Sequence, residues 1–149
     1  MAFSPSHAVL RLVTGAYILN SGISKLSLDE ESAGAIQGMA ANAVPQVKQL
    51  PAATFGKALA GGEIALGSAL LLPIIPTKLA ALGLAGFGAG LIAVYTKTPG
   101  LTQGDGIRPT QAGIAMAKDS WLAGIGLALL LDRKRKAAKA ASKGRATKR

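Results

Sequence analysis

The stretch ALAGGEIALGSALLLPIIPTKLAALGLAGFGAGLIAVYT, residues 58–96, decides the fold. Residues 79–95 carry no charge, and residues 58–77 carry only Glu63. A bilayer core about 30 Å thick is crossed by roughly 20 helical residues, so the stretch reads as two transmembrane helices. The link Pro76-Thr77-Lys78 is short enough to make them antiparallel neighbours. On either side, residues 8–24 and 111–131 are apolar with few ionisable interruptions. The sequence therefore predicts an all-α integral membrane protein: an antiparallel four-helix bundle with spans at about 8–26, 55–75, 77–96 and 111–131.

Charge divides the chain. Of 17 Lys and Arg in 149 residues, nine lie in residues 133–149, while all seven acids precede them. The high isoelectric point thus belongs to a basic tail appended to a nearly neutral domain of residues 1–132. Arg133, Lys134, Arg135 and Lys136 open that tail as candidate lipid-binding residues, each basic group near an anionic surface contributing about 1 kcal/mol. No aromatic interleaves the tail charges to stack on bases, so nucleic acid is not an expected partner. By the positive-inside rule the tail lies in the cytoplasm, and four spans return the N-terminus to the same side. Eleven basic residues then face inward, against Lys25, Lys48, Lys57, Lys97 and Arg108 outward. A cleaved signal peptide is disfavoured, because residues 1–7 contain no Lys or Arg and Tyr17, Asn20 and Ser21 interrupt the first apolar run.

Between the first two spans, residues 29–44 carry small or apolar residues at helical spacing and read as a short amphipathic helix in the first outer loop. Ser27, three before Glu30, has the spacing of a capping box. The Gly-, Pro- and Thr-rich residues 97–110 read as a loop. The last span poses a problem of length. Residues 120–131 give only about 18 Å of helix. Starting at Gln111 restores the length but draws Lys118 and Asp119 into the membrane.

Helical rise places Asn20, Glu63 and Lys118 at a common depth of about 18–20 Å from the inner face. An ionised group at mid-span costs about 2.5–3.5 kcal/mol, so such groups turn inward and pair. The expected network joins Glu63 to Lys118, with Asn20, Tyr17 or Ser21 as hydrogen-bonding partners and Asp119 beside them. Arg11 snorkels to headgroups or reaches Asp132. The network has two readings: a ligand or proton site, or a device that only fixes helix register. Gly86 and Gly90 form a G-x-x-x-G motif, with Gly83 nearby, expected to pack the third span inside the bundle or against a second copy.

Cysteine is absent and His7 is the only histidine, so thiol chemistry, Cys/His metal sites and bis-histidine haem are excluded within this chain. No nucleophile–base pair or phosphate-binding glycine loop is visible, and no catalysis by this chain alone is expected.

Several short motifs, in order, resemble a known family. Arg11-Leu12, Gly15, Ser21-Gly22 and Lys25-Leu26 resemble the opening of DoxX-like membrane proteins. Gly62-Glu63, Leu66-Gly67 and Leu70-Leu71 resemble their second span, and Lys118-Asp119 before an apolar run resembles their last. The resemblance implies a four-helix bundle in the bacterial cytoplasmic membrane. It also implies an accessory subunit of a quinone-linked redox complex, with quinone as the candidate cofactor and other subunits as partners. The alternatives are a proton-coupled or small-molecule carrier titrating at Glu63, and a scaffold acting through its basic tail.

Overall fold

The computed structural model describes residues 5–131, so Asp132 and the candidate lipid-binding residues Arg133, Lys134, Arg135 and Lys136 lie outside the described residues. The chain runs α1 (Pro5–Lys25), α2 (Glu30–Ala43), a 3-10 turn (Pro45–Gln49), α3 (Ala52–Leu71), α4 (Thr77–Lys97) and α5 (Ile114–Ala117). A final helix, α6, occupies residues 120–131. Among the described residues there is no strand, only an isolated bridge between Thr102 and Pro109.

The long helices form two antiparallel pairs. Along α1 and α3, Gly15 lies against Leu70, Leu19 against Gly67, and Gly22 against Ala60 and Glu63. Numbers that rise on one helix and fall on the other mark antiparallel register. Gly88 against Ala123 and Gly126 against Ala85 register α4 and α6 in the same way. Where glycine has no Cβ the two backbones touch directly: a methyl group at Gly67 would stand 2.5 Å from the Leu19 nitrogen. Ile18, Leu70, Ala80, Ala81, Leu84, Leu122 and Leu129 join the two pairs in one core.

Many large apolar residues nevertheless face out. Leu12, Val13, Leu79, Leu82, Leu127 and Leu131 are all more than half exposed. Water would penalise such a surface, whereas hydrocarbon is indifferent to it and rewards close backbone approach. Two helical segments, Thr77–Lys97 and Ile114–Leu131, are by themselves long and apolar enough to cross a membrane. The other two long helices, α1 and α3, carry Arg11, Lys25, Lys57 and Glu63.

The expectation that Gly86 and Gly90 pack inside the bundle is corrected. Both lie on the outward face of α4, where a methyl group added to either would meet nothing within 4 Å, while Gly83 meets only the tip of Leu66. At about 100° per residue, Gly86 and Gly88 point to opposite sides of the helix, and it is Gly88 that faces α6.

Helix α2 lies across the same end of α3 and α4, burying Ala33 and Ala41. Its N-cap is Asp29, whose carboxylate accepts from the Ser32 amide at 2.7 Å. Ser27 instead donates to the Ser24 carbonyl, so no Ser27 capping box forms. Gln37 fixes the turn that follows, its Nε2 donating to the Val47 and Leu50 carbonyls at 2.8 Å each.

The 97–110 segment is an ordered hairpin. Gln103 N donates to the Arg108 carbonyl, Thr110 N to the Leu101 carbonyl, and the buried Tyr95 hydroxyl to the Ile107 carbonyl. At the tip, Asp105 accepts from Arg108 Nε and from the amides of Ile107 and Arg108. These bonds, the Arg108 side chain first, hold the Asp105 carboxyl below its ordinary value of 3.8. A depressed folded value contributes order that is present above the unfolded value and lost as pH falls through the folded one. The hairpin tip is therefore expected to loosen in acid below the ordinary carboxylate range. Backbone ¹⁵N relaxation at residues 103–108 measures this, and Arg108→Ala should move the loosening to higher pH.

Candidate functional site

The α1–α3 register sets Gly22 opposite Glu63. Helical side chains lean toward the N-terminus, so the group that covers this level on α1 belongs to a residue about one turn further on. That residue is Lys25. Its ammonium donates to Glu63 Oε2 at 2.9 Å and to Ser21 Oγ at 2.6 Å, with a longer contact of 3.5 Å to the Ser21 carbonyl. Glu63 is only 5% exposed. All three ammonium hydrogens are thereby directed at acceptors, which is what a buried charge requires.

The structure thus separates the expected network. Glu63 and Ser21 belong to it, and Lys25 takes the position expected of Lys118. The Lys118 side chain is exposed and forms no ion pair with Glu63 among the described residues. Asp119 is half-buried and interacts electrostatically with Glu63, Lys25 and Lys118. Asn20 and Tyr17 face outward from α1, Tyr17 with 60% exposure. The register puts Asn20 at a suitable depth but on the wrong side of the helix.

Glu63 uses one oxygen. Among the described residues no polar side-chain atom is both fully buried and unpartnered, and the hydrogen bond of Glu63 is made by Oε2. Oε1 therefore retains accessible surface, an acceptor left open beside the half-buried carboxylate of Asp119. The arrangement offers acceptors rather than donors. Among the described residues there is no group of three metal-ligating side chains, and the chain holds no nucleophile–base constellation here.

Removing one partner of the pair is expected to be costly. Lys25→Met leaves Glu63 buried without its cation and should lower unfolding free energy by about 3 kcal/mol, near the lower end for a buried pair because Lys25 is partly exposed. Lys25→Met combined with Glu63→Gln should recover most of that loss. Denaturant unfolding of the two variants in detergent checks both statements.

Arg11 forms a second polar centre at the opposite end. Its guanidinium donates to the carbonyls of Leu70 (2.8 Å), Ala69 (2.9 Å), Leu72 (2.8 Å) and Ile75 (3.1 Å), and to Thr77 Oγ1 at 3.2 Å. These acceptors are the carbonyls orphaned where α3 ends, together with the turn into α4. The expected partners of Arg11 are headgroups or Asp132. Asp132 lies outside the described residues; among the described residues the partners are the carbonyls of the α3 end and the α3–α4 turn, with the Thr77 hydroxyl, because a helix end leaves strong acceptors within reach of the guanidinium.

The last span is interrupted at the two ionisable residues. Asp119 N bonds the Met116 carbonyl, Trp121 N that of Lys118, and Leu122 N that of Asp119, all at three-residue spacing. Ser120 Oγ donates to the Ala117 carbonyl at 2.7 Å, competing with the helical ladder. The break turns Lys118 outward and Asp119 partly inward.

Comparison with known proteins gives one family. The profile of the DoxX family matches residues 6–97, which take in α1 but for Pro5 and all of α2 to α4, and therefore Arg11, Lys25 and Glu63. No curated protein matches, and no solved structure matches.

Proposed function

The chain is a membrane protein of the DoxX family, and on that footing we propose that it serves as a small, non-enzymatic subunit of a redox-linked complex in the bacterial cytoplasmic membrane. In this reading α1, α3, α4 and the α5–α6 segment cross the bilayer as an antiparallel four-helix bundle with both chain ends cytoplasmic. The observation that carries it is the buried Lys25–Glu63 pair with Asp119 beside it. The pair neutralises the Lys25 and Glu63 charges between α1 and α3, and the Glu63 oxygen that Lys25 does not use is the group to which a quinone-class head would hydrogen-bond. The outward face of α4, uncharged from residue 79 to 95 and lined by Gly86 and Gly90, supplies contact area for a neighbouring subunit or a second copy. The basic tail adds attachment to anionic lipid.

Purification from native membranes in mild detergent tests the proposal. A complex containing a redox subunit, with quinone in the lipid extract, is the expected result. A protein that runs alone and carries no quinone overturns it.

The open Glu63 oxygen and the Asp119 carboxylate favour a second reading, a proton-coupled carrier. Proteoliposome flux that persists in Glu63→Gln removes Glu63 from that role.

A further inference from the structure

Helix α1 directs its arginine and its lysine at α3: Arg11 to the carbonyls at the α3 end, and Lys25 to Glu63. Its other packing contacts, through Gly15, Ile18 and Gly22, lie on that same side. The outward side is uncharged. Val9, Val13, Ala16, Asn20 and Ile23 are all exposed there, with Val9 at 60%, Val13 at 64% and Ile23 at 53%. Their spacing is four, three, four and three residues, the a/d alternation of a heptad seam. In that frame Val13 and Asn20 occupy a positions, and Val9, Ala16 and Ile23 occupy d positions.

Asn20 decides what covers the seam. It lies 12 residues from Ala8, about 18 Å by helical rise, well inside a hydrocarbon core about 30 Å thick. Ser24 Oγ donates to its backbone carbonyl, but its carboxamide makes no hydrogen bond among the described residues. The side chain is too short to snorkel to water as a lysine or arginine does. Acyl chains offer it neither donor nor acceptor, so its partner must come from another protein helix. A carboxamide is donor and acceptor at once, and is therefore complementary to a copy of itself.

We propose that the chain forms a parallel homodimer across the outward face of α1, with Asn20 hydrogen-bonded to Asn20 of the second copy. Two copies inserted in the same sense are related by a two-fold axis along the membrane normal, which makes their first helices parallel. A parallel pair sets a against a, so the two carboxamides meet on the axis. The β-branched Val13 at the other a position favours two strands. Ala16, one turn before Asn20, lets the backbones approach where the bond must form. The inference rests on the four-span reading but not on the quinone or redox-subunit assignments.

The chain has no cysteine, so single cysteines in the full-length protein report without background. In native membranes under a mild oxidant, Val13→Cys, Ala16→Cys and Ile23→Cys should each give a disulfide-linked species of twice the chain mass. Leu82→Cys, exposed on the outward face of α4, should not. In lipid vesicles, Asn20→Leu should weaken dimerisation about tenfold, because lipid supplies no hydrophobic drive to replace the lost hydrogen bonds. Asn20→Gln, which keeps donor and acceptor, should restore part of it. Cross-linking only through Leu82→Cys, or equally at all four positions, overturns the proposal. So does dimerisation that is unchanged or strengthened in Asn20→Leu. A membrane-impermeant maleimide tests the four-span reading separately. Labelling of Ala16→Cys removes that reading and the dimer with it, whereas protection without cross-links leaves the reading standing and removes the dimer alone.

Discussion

Arg11→Leu should lower unfolding free energy by about 3–5 kcal/mol and leave little monodisperse protein after extraction. The guanidinium makes five hydrogen bonds, four of them to backbone carbonyls of residues 69–75. Each fully buried acceptor stripped of its donor costs about 1–3 kcal/mol; these are part-buried, the Leu72 contact is exposed, and the losses are not additive because the carbonyls share one donor group. Water cannot replace the donor where the acceptors lie in hydrocarbon. Arg11→Lys is the informative companion. An ammonium keeps the charge but not the planar fork that reaches five acceptors at once, so it should restore only part of the loss. Detergent or urea titration followed by tryptophan fluorescence reports both variants through the single Trp121. A neutral Arg11→Leu result would show that the α3–α4 turn holds without its clasp.

The second large effect is expected from the smallest change. Gly67→Ala places a methyl 2.5 Å from the Leu19 nitrogen, and Gly88→Ala places one against the Ala123 backbone. Neither obstacle is a flexible side-chain tip, so relief requires the helices to part. Alanine in place of glycine gains up to about 1 kcal/mol of helix propensity. Overpacking typically costs about 1–3 kcal/mol, and backbone contact places these sites at the top of that range. The clash wins, with a net loss of about 2 kcal/mol at each position. Gly86→Ala is the control: its methyl meets nothing within 4 Å, and stability should hold or rise by up to about 1 kcal/mol. Thermal unfolding of the three variants orders them. A destabilised Gly86→Ala would mean that the outward face of α4 is covered by another molecule.

Much of the fold is legible in the sequence because apolar runs and prolines mark helices directly. The expected boundaries at 77–96 and 29–44 fall within one residue of Thr77–Lys97 and Glu30–Ala43. What cannot be read is the direction in which each polar or small residue faces. Counting rise along the axis assigns Asn20 the depth of Glu63, yet Lys25, a turn further along, reaches back to fill that level. Counting motifs selects Gly86 and Gly90, though the close contact uses Gly88 on the opposite side of the helix. A charged residue such as Arg11 suggests a charged partner, while among the described residues it is met by the Thr77 hydroxyl and by four carbonyls that carry no side-chain signature at all. The break at Lys118-Asp119 explains the short last span: the ladder yields where Ser120 competes for a carbonyl.

The clasp made by Arg11 also bears on how the chain is made. Its acceptors lie 58 to 66 residues later in sequence. On the proposed four-span reading, the first helix would enter the lipid phase with its cation unanswered as the nascent polypeptide leaves the ribosome, and would stay so until residues 69–77 arrive. On that reading, commitment of the leading helix is deferred to the trailing ones, and insertion would proceed as one cooperative event rather than helix by helix.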